Sequence, residues 1–326
     1  MQNQKVILPP PPGLIAALTA GFESVAGSVA VIALPVIFDM FLWFGPRLRL
    51  EALFRPFLEQ LPVLYSQVTS SANLEAAGEF WQEIFTNFNL FSAIRTFPVG
   101  LSSLLSLEMP SLTPLGDPTA FQASSLVEVL GWLILAAAIG WLLGAVYYYW
   151  VSKITLHPDS MPLGRSVVQV VLLSCIWLGI LFGLGIPAIF LLSLVTLVSP
   201  AVGQIVMFLA GIAVLWLLVP VYFSAHGIFT YQLNAIKAIL NSLRMVRYTL
   251  PTTFLFLFLL IMVGQGLRFL WMTPAQDSWW LLVGILGHAF ISTALLAASF
   301  IYYRNVNNWL KVVMDQLKNQ VKPALL

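Results

Sequence analysis

The sequence predicts an all-α integral membrane protein with six transmembrane helices and amphipathic surface helices on both faces of the membrane. Of its 326 residues, 60% are hydrophobic and only 9% are charged, whereas soluble domains carry roughly 25% charged residues. Apolar runs recur along the chain at about the 20 residues that a helix needs to cross a bilayer. Together these observations favour a multi-pass membrane protein over a soluble one.

The composition also excludes several classes of protein. The net charge of +2 is too small to indicate a nucleic-acid partner. The single cysteine, Cys175, lies within an apolar run, which excludes an internal disulfide and a multi-cysteine metal site. The N-terminal sequence MQNQKVILPPPPG has no long apolar core and no small-residue cleavage site. We therefore expect no cleavable signal peptide.

The first part of the chain combines one span with the main polar region. Residues 1–45 are predicted to hold an N-terminal surface segment and the first span, from Val25 to Phe44. Residues 46–124 are predicted to form two amphipathic helices and a proline- and serine-rich loop on the outer side. An aromatic stripe marks the second of these helices, expected from Leu74 to Ile94. The stripe consists of Trp81, Phe85, Phe88 and Phe91. Because each such side chain gains roughly 1.5–3 kcal/mol on burial, the stripe is predicted to dock on protein.

Residues 125–303 are predicted to form a bundle of five further spans. The spans run from Leu126 to Trp150, over 166–190 and 202–223, from Leu250 to Trp271 and from Trp279 to Tyr303. In the first of them Ala136, Gly140 and Gly144 are spaced four residues apart, which indicates close helix contact. The stretch 166–228 is nearly all apolar; because the 11 residues from Ala188 to Val198 are too few to cross a bilayer, we expect two spans here with a buried or interfacial connection between them. A division of this stretch into three spans is the alternative and would reverse the side of the C-terminus.

An inner surface helix is predicted over residues 229–249, followed after the last span by a cytoplasmic tail helix over 304–326. The surface helix would place an apolar stripe, from Phe229 to Val246, opposite Lys237, Arg244 and Arg247. If the apolar stripe faces the bundle, the three basic side chains face the headgroups of the inner leaflet.

The segment AIKAILNSLRMVRYTLP, followed by an apolar span, carries a family resemblance. It resembles the surface-helix-then-span unit of uncharacterised bacterial membrane families related to the membrane domain of glycerophosphodiester phosphodiesterases. The chain holds no phosphodiesterase catalytic domain, so the resemblance implies an architecture and no activity.

Lysine and arginine set the expected orientation. With both termini cytoplasmic, ten of the 15 basic residues lie inside and five outside. Four of the outer five belong to the long segment 46–124, which the positive-inside rule does not govern. We therefore predict a multi-pass protein of the cell (inner) membrane with cytoplasmic N- and C-termini.

Ionisable side chains in spans are candidates for a functional site, because burying a charge in a membrane is costly. Asp39, Glu128 and Arg268 are expected at one depth near the outer surface, with an ion pair between Asp39 and Arg268, or with Glu128 in place of Asp39. This charge layer is either an ion or substrate site or a structural pair that holds helices together. His288, midway along the sixth span, is a possible haem or chlorin ligand or a hydrogen-bonded core histidine.

The sequence contains no phosphate-binding glycine loop, zinc motif or nucleophile elbow. We therefore predict no catalytic residue, metal or cofactor. The leading function is a scaffold or accessory subunit that packs against lipids and other integral membrane proteins. The alternative is a transporter or lipid-handling protein that uses the outer charge layer and helices kinked at Pro35, Pro187 and Pro220.

Overall fold

A computed structural model describes residues 9–65, 81, 88–108, 110–156 and 162–321. Within these residues the protein is almost entirely helical. Its α-helices are α1 (Leu14–Ala26), α2 (Ala33–Phe44), α3 (Glu51–Tyr65), α4 (Leu126–Leu156), α5 (Leu163–Ile180), α6 (Ile186–Val198), α7 (Pro200–Tyr231), α8 (Ala235–Trp271) and α9 (Leu281–Val321). Two 3-10 helices (Val29–Ile32 and Leu90–Ile94), one π-helical stretch (Leu181–Gly185) and two strands, β1 (Arg47–Arg49) and β2 (Ala120–Gln122), complete it.

Among the described residues, five helical segments are long and apolar enough to cross a membrane. They are α4, α5 joined to α6, α7, α8 and α9. A sixth is added if α1 and the helical residues from Val29 to Phe44 form one span bent by 94°. The all-α prediction is confirmed at this level. The bend lies beside Gly27, close to Val25, where the surface segment was expected to lead into the first span, although Val25 and Ala26 still belong to α1. Gly27 ends α1, its N–H bonding to the carbonyl of Glu23, and the chain turns before α2.

The apolar stretch 166–228 contains two helical segments, as predicted, but the expected connection between them is misplaced. Residues 188–198 continue the helix instead of linking two spans, because a π-helical stretch carries the chain past Gly185 and Pro187. The break falls at Ser199, whose hydroxyl accepts the N–H of Val202 and caps α7. Because α5 and α6 together form one candidate span, Leu163–Val198, the structure does not support the alternative of three spans.

The predicted inner surface helix and the fifth span are one helix, α8. It begins at Ala235, so the predicted start at residue 229 is wrong: the residues up to Tyr231 belong to α7, which ends at Gln232 in the left-handed conformation. The helix is kinked where expected, at the non-helical backbone of Thr249, two residues before Pro251. The tail helix is likewise continuous with the last span in α9.

The outer segment contains a small sheet that the sequence analysis did not anticipate. Strands β1 and β2 pair in parallel, with Arg47 opposite Ala120 and Arg49 opposite Gln122. A small core lies beside them, formed by Leu48, Leu90, Ala123 and Val129, with Leu50, Leu53, Phe88, Phe91 and Leu133 packed against it. The helix expected from Leu74 to Ile94 does not reach its predicted end. Its part at 74–80 and 82–87 lies outside the described residues, and Asn89 is extended and caps the 3-10 helix.

The chain divides into two compact units. The first consists of Met1–Val29, Tyr148–Val263 and Thr293–Leu326, and the second of Ala30–Tyr147 and Gly264–Ser292. Within the first unit, α1 approaches α9 closely because Gly21 has no side chain. A Cβ atom at Gly21 would overlap the backbone of Ala294 and Ala298. Small residues on both helices therefore set this contact.

The glycines of α4 do not make the helix–helix contact that their spacing predicted. Gly140 faces the backbone of Ile94 and the side chain of Thr96, and Gly144 faces Val99 and Gly100. The close approach that the spacing indicated is therefore made by a loop of the second unit and not by another transmembrane helix.

Replacing Gly21 by alanine is expected to destabilise the first unit by about 1–3 kcal/mol, the usual cost of overpacking a close contact. Gly211 in α7 provides a matched control, since a Cβ there would meet no atom within 4 Å. Gly211→Ala should be neutral or slightly stabilising, because alanine is favoured over glycine in a helix by about 0.5–1 kcal/mol. Thermal unfolding of both variants in detergent measures the difference; equal stabilities would contradict the close packing of α1 on α9.

Candidate functional site

Asp39 in α2 is completely buried, and its carboxylate binds one short segment of the outer loop. It accepts hydrogen bonds from the hydroxyl of Ser103 and from the backbone N–H groups of Leu104 (2.9 Å) and Leu105 (3.2 Å). A buried carboxylate is stable only when such donors replace its water shell. The three donors therefore give Asp39 a structural role within the second unit.

Arg268 binds the same segment but does not pair with Asp39. Its Nη2 donates to the carbonyl oxygen of Leu104 (3.2 Å) and forms an ion pair with Glu108 (3.0 Å). The expected Asp39–Arg268 ion pair is thus wrong, although both side chains hold Leu104, one through its N–H and the other through its carbonyl. The sequence analysis missed Glu108 because the loop it belongs to shows no helical or strand periodicity.

Glu128 contacts neither the Ser103–Leu105 segment nor Glu108 and instead caps a helix. Its carboxylate accepts from the backbone N–H (2.9 Å) and the hydroxyl (3.1 Å) of Ser124, while its own N–H donates to Ser125 (3.2 Å). Together these bonds cap the start of α4 in a variant of the capping box, in which Ser124 and not Ser125 donates to the carboxylate. The three residues of the predicted charge layer therefore do not form one site. Asp39 and Arg268 both bind Leu104, whereas Glu128 caps α4.

The two histidines of the apolar helices differ in their surroundings. His288 is half-buried, has no hydrogen bond to a described residue, and the described residues contain no cluster of three metal-binding side chains. Its role as a ligand stays a prediction. His226 is fully buried, with Nδ1 on the carbonyl of Tyr222 (3.1 Å) and Nε2 on the hydroxyl of Ser299 (2.7 Å). It joins α7 to α9 inside the first unit.

The basic residues predicted to face lipid lie on the exposed side of α8. Lys237, Arg244 and Arg247 are exposed and form no ion pair with a described residue. Ile236 and Leu240, expected to face the core, are instead exposed beside them, at 62% and 59%. The exposed side of this helix is therefore both basic and apolar. We call these five residues the basic face of α8.

The opposite side of α8 is fixed by small residues and hydrogen bonds. Its buried residues are Ala235, Ala238, Ser242, Met245 and Val246. Ser242 donates to the carbonyl of Pro220 in α7 (2.7 Å), and Asn241 donates to the hydroxyl of Tyr303 in α9 (2.6 Å). These contacts set the rotation of the helix and hence the direction of its basic face.

A cavity of about 260 Å³ adjoins the kink of α8 in the first unit. It is lined by Pro11, Pro12, Tyr248, Thr249, Pro251, Thr252, Tyr302, Val306 and Trp309. The indole N–H of Trp309 donates to the carbonyl of Pro9 (2.8 Å), which attaches the proline run to α9. The lining is uncharged, and the volume is just below the roughly 300–1,000 Å³ of small-molecule sites.

The aromatic stripe of the outer segment is only partly within the described residues. Trp81 is 43% exposed, while Phe85 lies outside the described part of the chain. Phe88 and Phe91 are partly buried and pack on the small core around Leu48, and Phe91 also contacts Trp132 edge-on. These two phenylalanines are therefore covered by the second unit itself.

Comparisons with known proteins gave no relative: no protein-family model, no curated protein and no solved structure matches the chain.

Replacing Asp39 by leucine is expected to destabilise the second unit by about 3 kcal/mol or more, because three buried donors lose their charged acceptor. Limited proteolysis of the loop around Ser103 and thermal unfolding in detergent measure the loss. The exposed Asp277 is the control, and Asp277→Leu should leave both unchanged. If Asp39→Leu is as stable as the control, the carboxylate does not hold the loop.

Proposed function

We propose that the protein is a non-catalytic integral membrane scaffold or accessory subunit that binds anionic lipids through the basic face of α8. The observation that carries the proposal is the exposure of Ile236 and Leu240 next to three basic side chains with no described acidic partner. A helix with this composition lies at a membrane surface, with its apolar side chains among the acyl chains and its charges on the headgroups.

The charges of the outer layer support a scaffold more than a transporter. Asp39, Arg268 and Glu128 are all bonded to groups of the second unit. A transport site requires polar groups that exchange their partners for a substrate, whereas these bonds maintain a loop and a helix start. The layer accordingly contributes to the fold.

The apolar helices supply the surface that a scaffold needs. Large hydrophobic side chains are exposed along all of α6 and the first half of α7, including Phe190, Leu197, Phe208 and Trp216. Lipids cover such helices in a bilayer, and other integral membrane proteins pack on them. Other membrane proteins and lipids are therefore the proposed partners, and the exposed Trp81 of the outer segment belongs to the proposed docking stripe.

The proposed topology has six spans, with both termini on the cytoplasmic side of the cell (inner) membrane. The described residues of the first unit, which hold the segments assigned to the inside, are strongly basic. They contain Lys153, Arg165, Lys237, Arg244, Arg247, Arg304, Lys311 and Lys318, against Glu23 and Asp315. The second unit is slightly acidic, with Arg47, Arg49, Arg55, Arg95 and Arg268 against Asp39, Glu51, Glu59, Glu108, Asp117, Glu128 and Asp277. This distribution supports the proposal, since cytoplasmic segments carry excess lysine and arginine.

A lipid-handling protein is the second candidate, and the cavity at the kink of α8 favours it. Its wall of proline and aromatic side chains suits the apolar part of a lipid, and Tyr248 in that wall lies beneath the guanidinium of Arg247 (6.0 Å). This candidate would use the inner side of the membrane and not the outer charge layer first considered. The architectural resemblance to phosphodiesterase-related membrane families is compatible with either function.

Cysteine labelling tests the topology. In a Cys175→Ser background, Ser111→Cys is expected to react with an impermeant reagent in intact cells, because Ser111 belongs to the outer loop. Lys318→Cys should react only after the membrane is opened. Labelling of both positions from the same side would contradict the six-span arrangement.

Replacement of Lys237, Arg244 and Arg247 by glutamine tests the basic face. Each basic residue near an anionic surface contributes on the order of 1 kcal/mol, so the triple variant should lose about tenfold to a hundredfold in preference for phosphatidylglycerol over phosphatidylcholine. Native mass spectrometry of the purified protein measures this preference at low salt.

A triple glutamine variant at Lys153, Arg165 and Lys318 provides the matched control, since it removes the same charge from other exposed positions of the first unit. It should retain most of the lipid preference. An equal loss in both variants would mean that total charge, and not the arrangement on α8, attracts the lipid.

A further inference from the structure

A small cavity in the second unit lies beside strand β1 and the 3-10 helix that starts at Leu90. It measures about 10 Å³, and its walls are Leu42, Arg47, Asn89, Ser92, Leu105, Ser106 and Pro110. This is room for one water-sized particle. A polyatomic ligand is therefore excluded by size, and only a water molecule or a single small ion fits.

Arg47 is the charged group in this wall, and it is only 3% exposed. Its Nη1 donates to the carbonyl of Ser111 (2.7 Å), whereas its Nη2 is buried without an acceptor among the described residues. Of the charged residues nearby, Arg49 repels it, and Asp117 attracts it without forming an ion pair in contact. Burial, followed by the repulsion from Arg49, lowers the pKa of Arg47. The guanidinium thus brings to the cavity a buried N–H donor without an acceptor and a charge without a contacting counter-ion among the described residues.

The polar neighbours of Arg47 in the cavity wall also present donors. The Oδ1 of Asn89 already accepts the N–H groups of Leu48 and Phe91 (3.2 Å each), so the donors that this lining residue still offers are its amide N–H groups. The hydroxyl of Ser106 accepts from Nη1 of Arg95 (3.1 Å), so its hydrogen is available. Ser92 adds a second hydroxyl, and none of the described residues that line the cavity is a carboxylate.

We propose that this cavity binds one chloride ion, held by Nη2 of Arg47, the amide of Asn89 and the hydroxyls of Ser92 and Ser106. A chloride ion accepts several hydrogen bonds at once and compensates the charge of the guanidinium. A water molecule would accept fewer bonds from these donors and would leave Arg47 without a counter-ion in contact. The ion would connect β1, the 3-10 helix and the loop that contains Ser106, and so stabilise the outer segment.

The test is the thermal stability of the full-length protein in detergent, in sodium chloride and in sodium gluconate at equal ionic strength. Gluconate is too large for the cavity. The wild-type protein is expected to unfold several degrees higher in chloride, with a saturable dependence on chloride concentration. Equal stability in the two salts would overturn the proposal and leave water as the occupant.

Two variants and one control locate the effect. Asn89→Asp keeps an oxygen for the N–H groups of Leu48 and Phe91 but places a negative charge beside Arg47. It should remain folded and raise the chloride concentration for half-maximal stabilisation at least tenfold. Arg47→Gln should abolish the chloride dependence. Arg55→Gln, at an exposed position of α3, should retain it. A chloride effect of the same size in Asn89→Asp as in the wild type would overturn the assignment to this cavity.

Discussion

The carboxylate of Asp39 is the interaction on which the second unit depends. It replaces its hydration shell by three donors from a segment more than 60 residues further along the chain, the hydroxyl of Ser103 and two consecutive backbone N–H groups. Arg268 completes the arrangement by binding the carbonyl of Leu104 between those donors. In an apolar environment every polar group must find such a partner inside the protein. A loop with little regular structure is thereby fixed to two apolar helices, α2 and α8.

The same requirement shapes α8 in the first unit. Its buried side contains alanine, serine and methionine rather than large aliphatic side chains, because small residues allow close approach and Asn241 and Ser242 find partners in α9 and α7. Ile236 and Leu240 are consequently left outside. Once hydrogen bonds define the buried side of α8, the exposed side keeps apolar residues, which the proposed contact with lipid would cover.

Hydrophobicity alone predicted most of the long helices, since the length of an apolar run and its proline breaks are local properties. The errors arose where contacts between distant residues decided the outcome. The strands around Arg47 and Ala120 are three residues long and pair across 73 positions, so no periodicity marks them. The stripe from Phe229 to Val246 had helical spacing, but residues 229–231 belong to α7 and the buried side follows hydrogen bonding. An ion pair with Arg268 was predicted for Asp39 because opposite charges attract. Its carboxylate is instead hydrogen-bonded to Ser103 and to backbone N–H groups, which a sequence does not reveal as partners.

These comparisons separate two kinds of charge in an apolar protein. Asp39, Glu128 and Arg268 were the obvious candidates because they stand in or beside spans, and each has protein partners that account for its presence. Lys237, Arg244 and Arg247 lie in an amphipathic part of α8, and Arg47 lies in a short strand. None of these four residues forms an ion pair with a described acidic residue. A charge whose protein partners are complete contributes to folding. In the two proposals, a charge held in place without a contacting counter-ion receives one from outside the chain: lipid phosphates at the basic face of α8, and a small anion in the cavity beside Arg47.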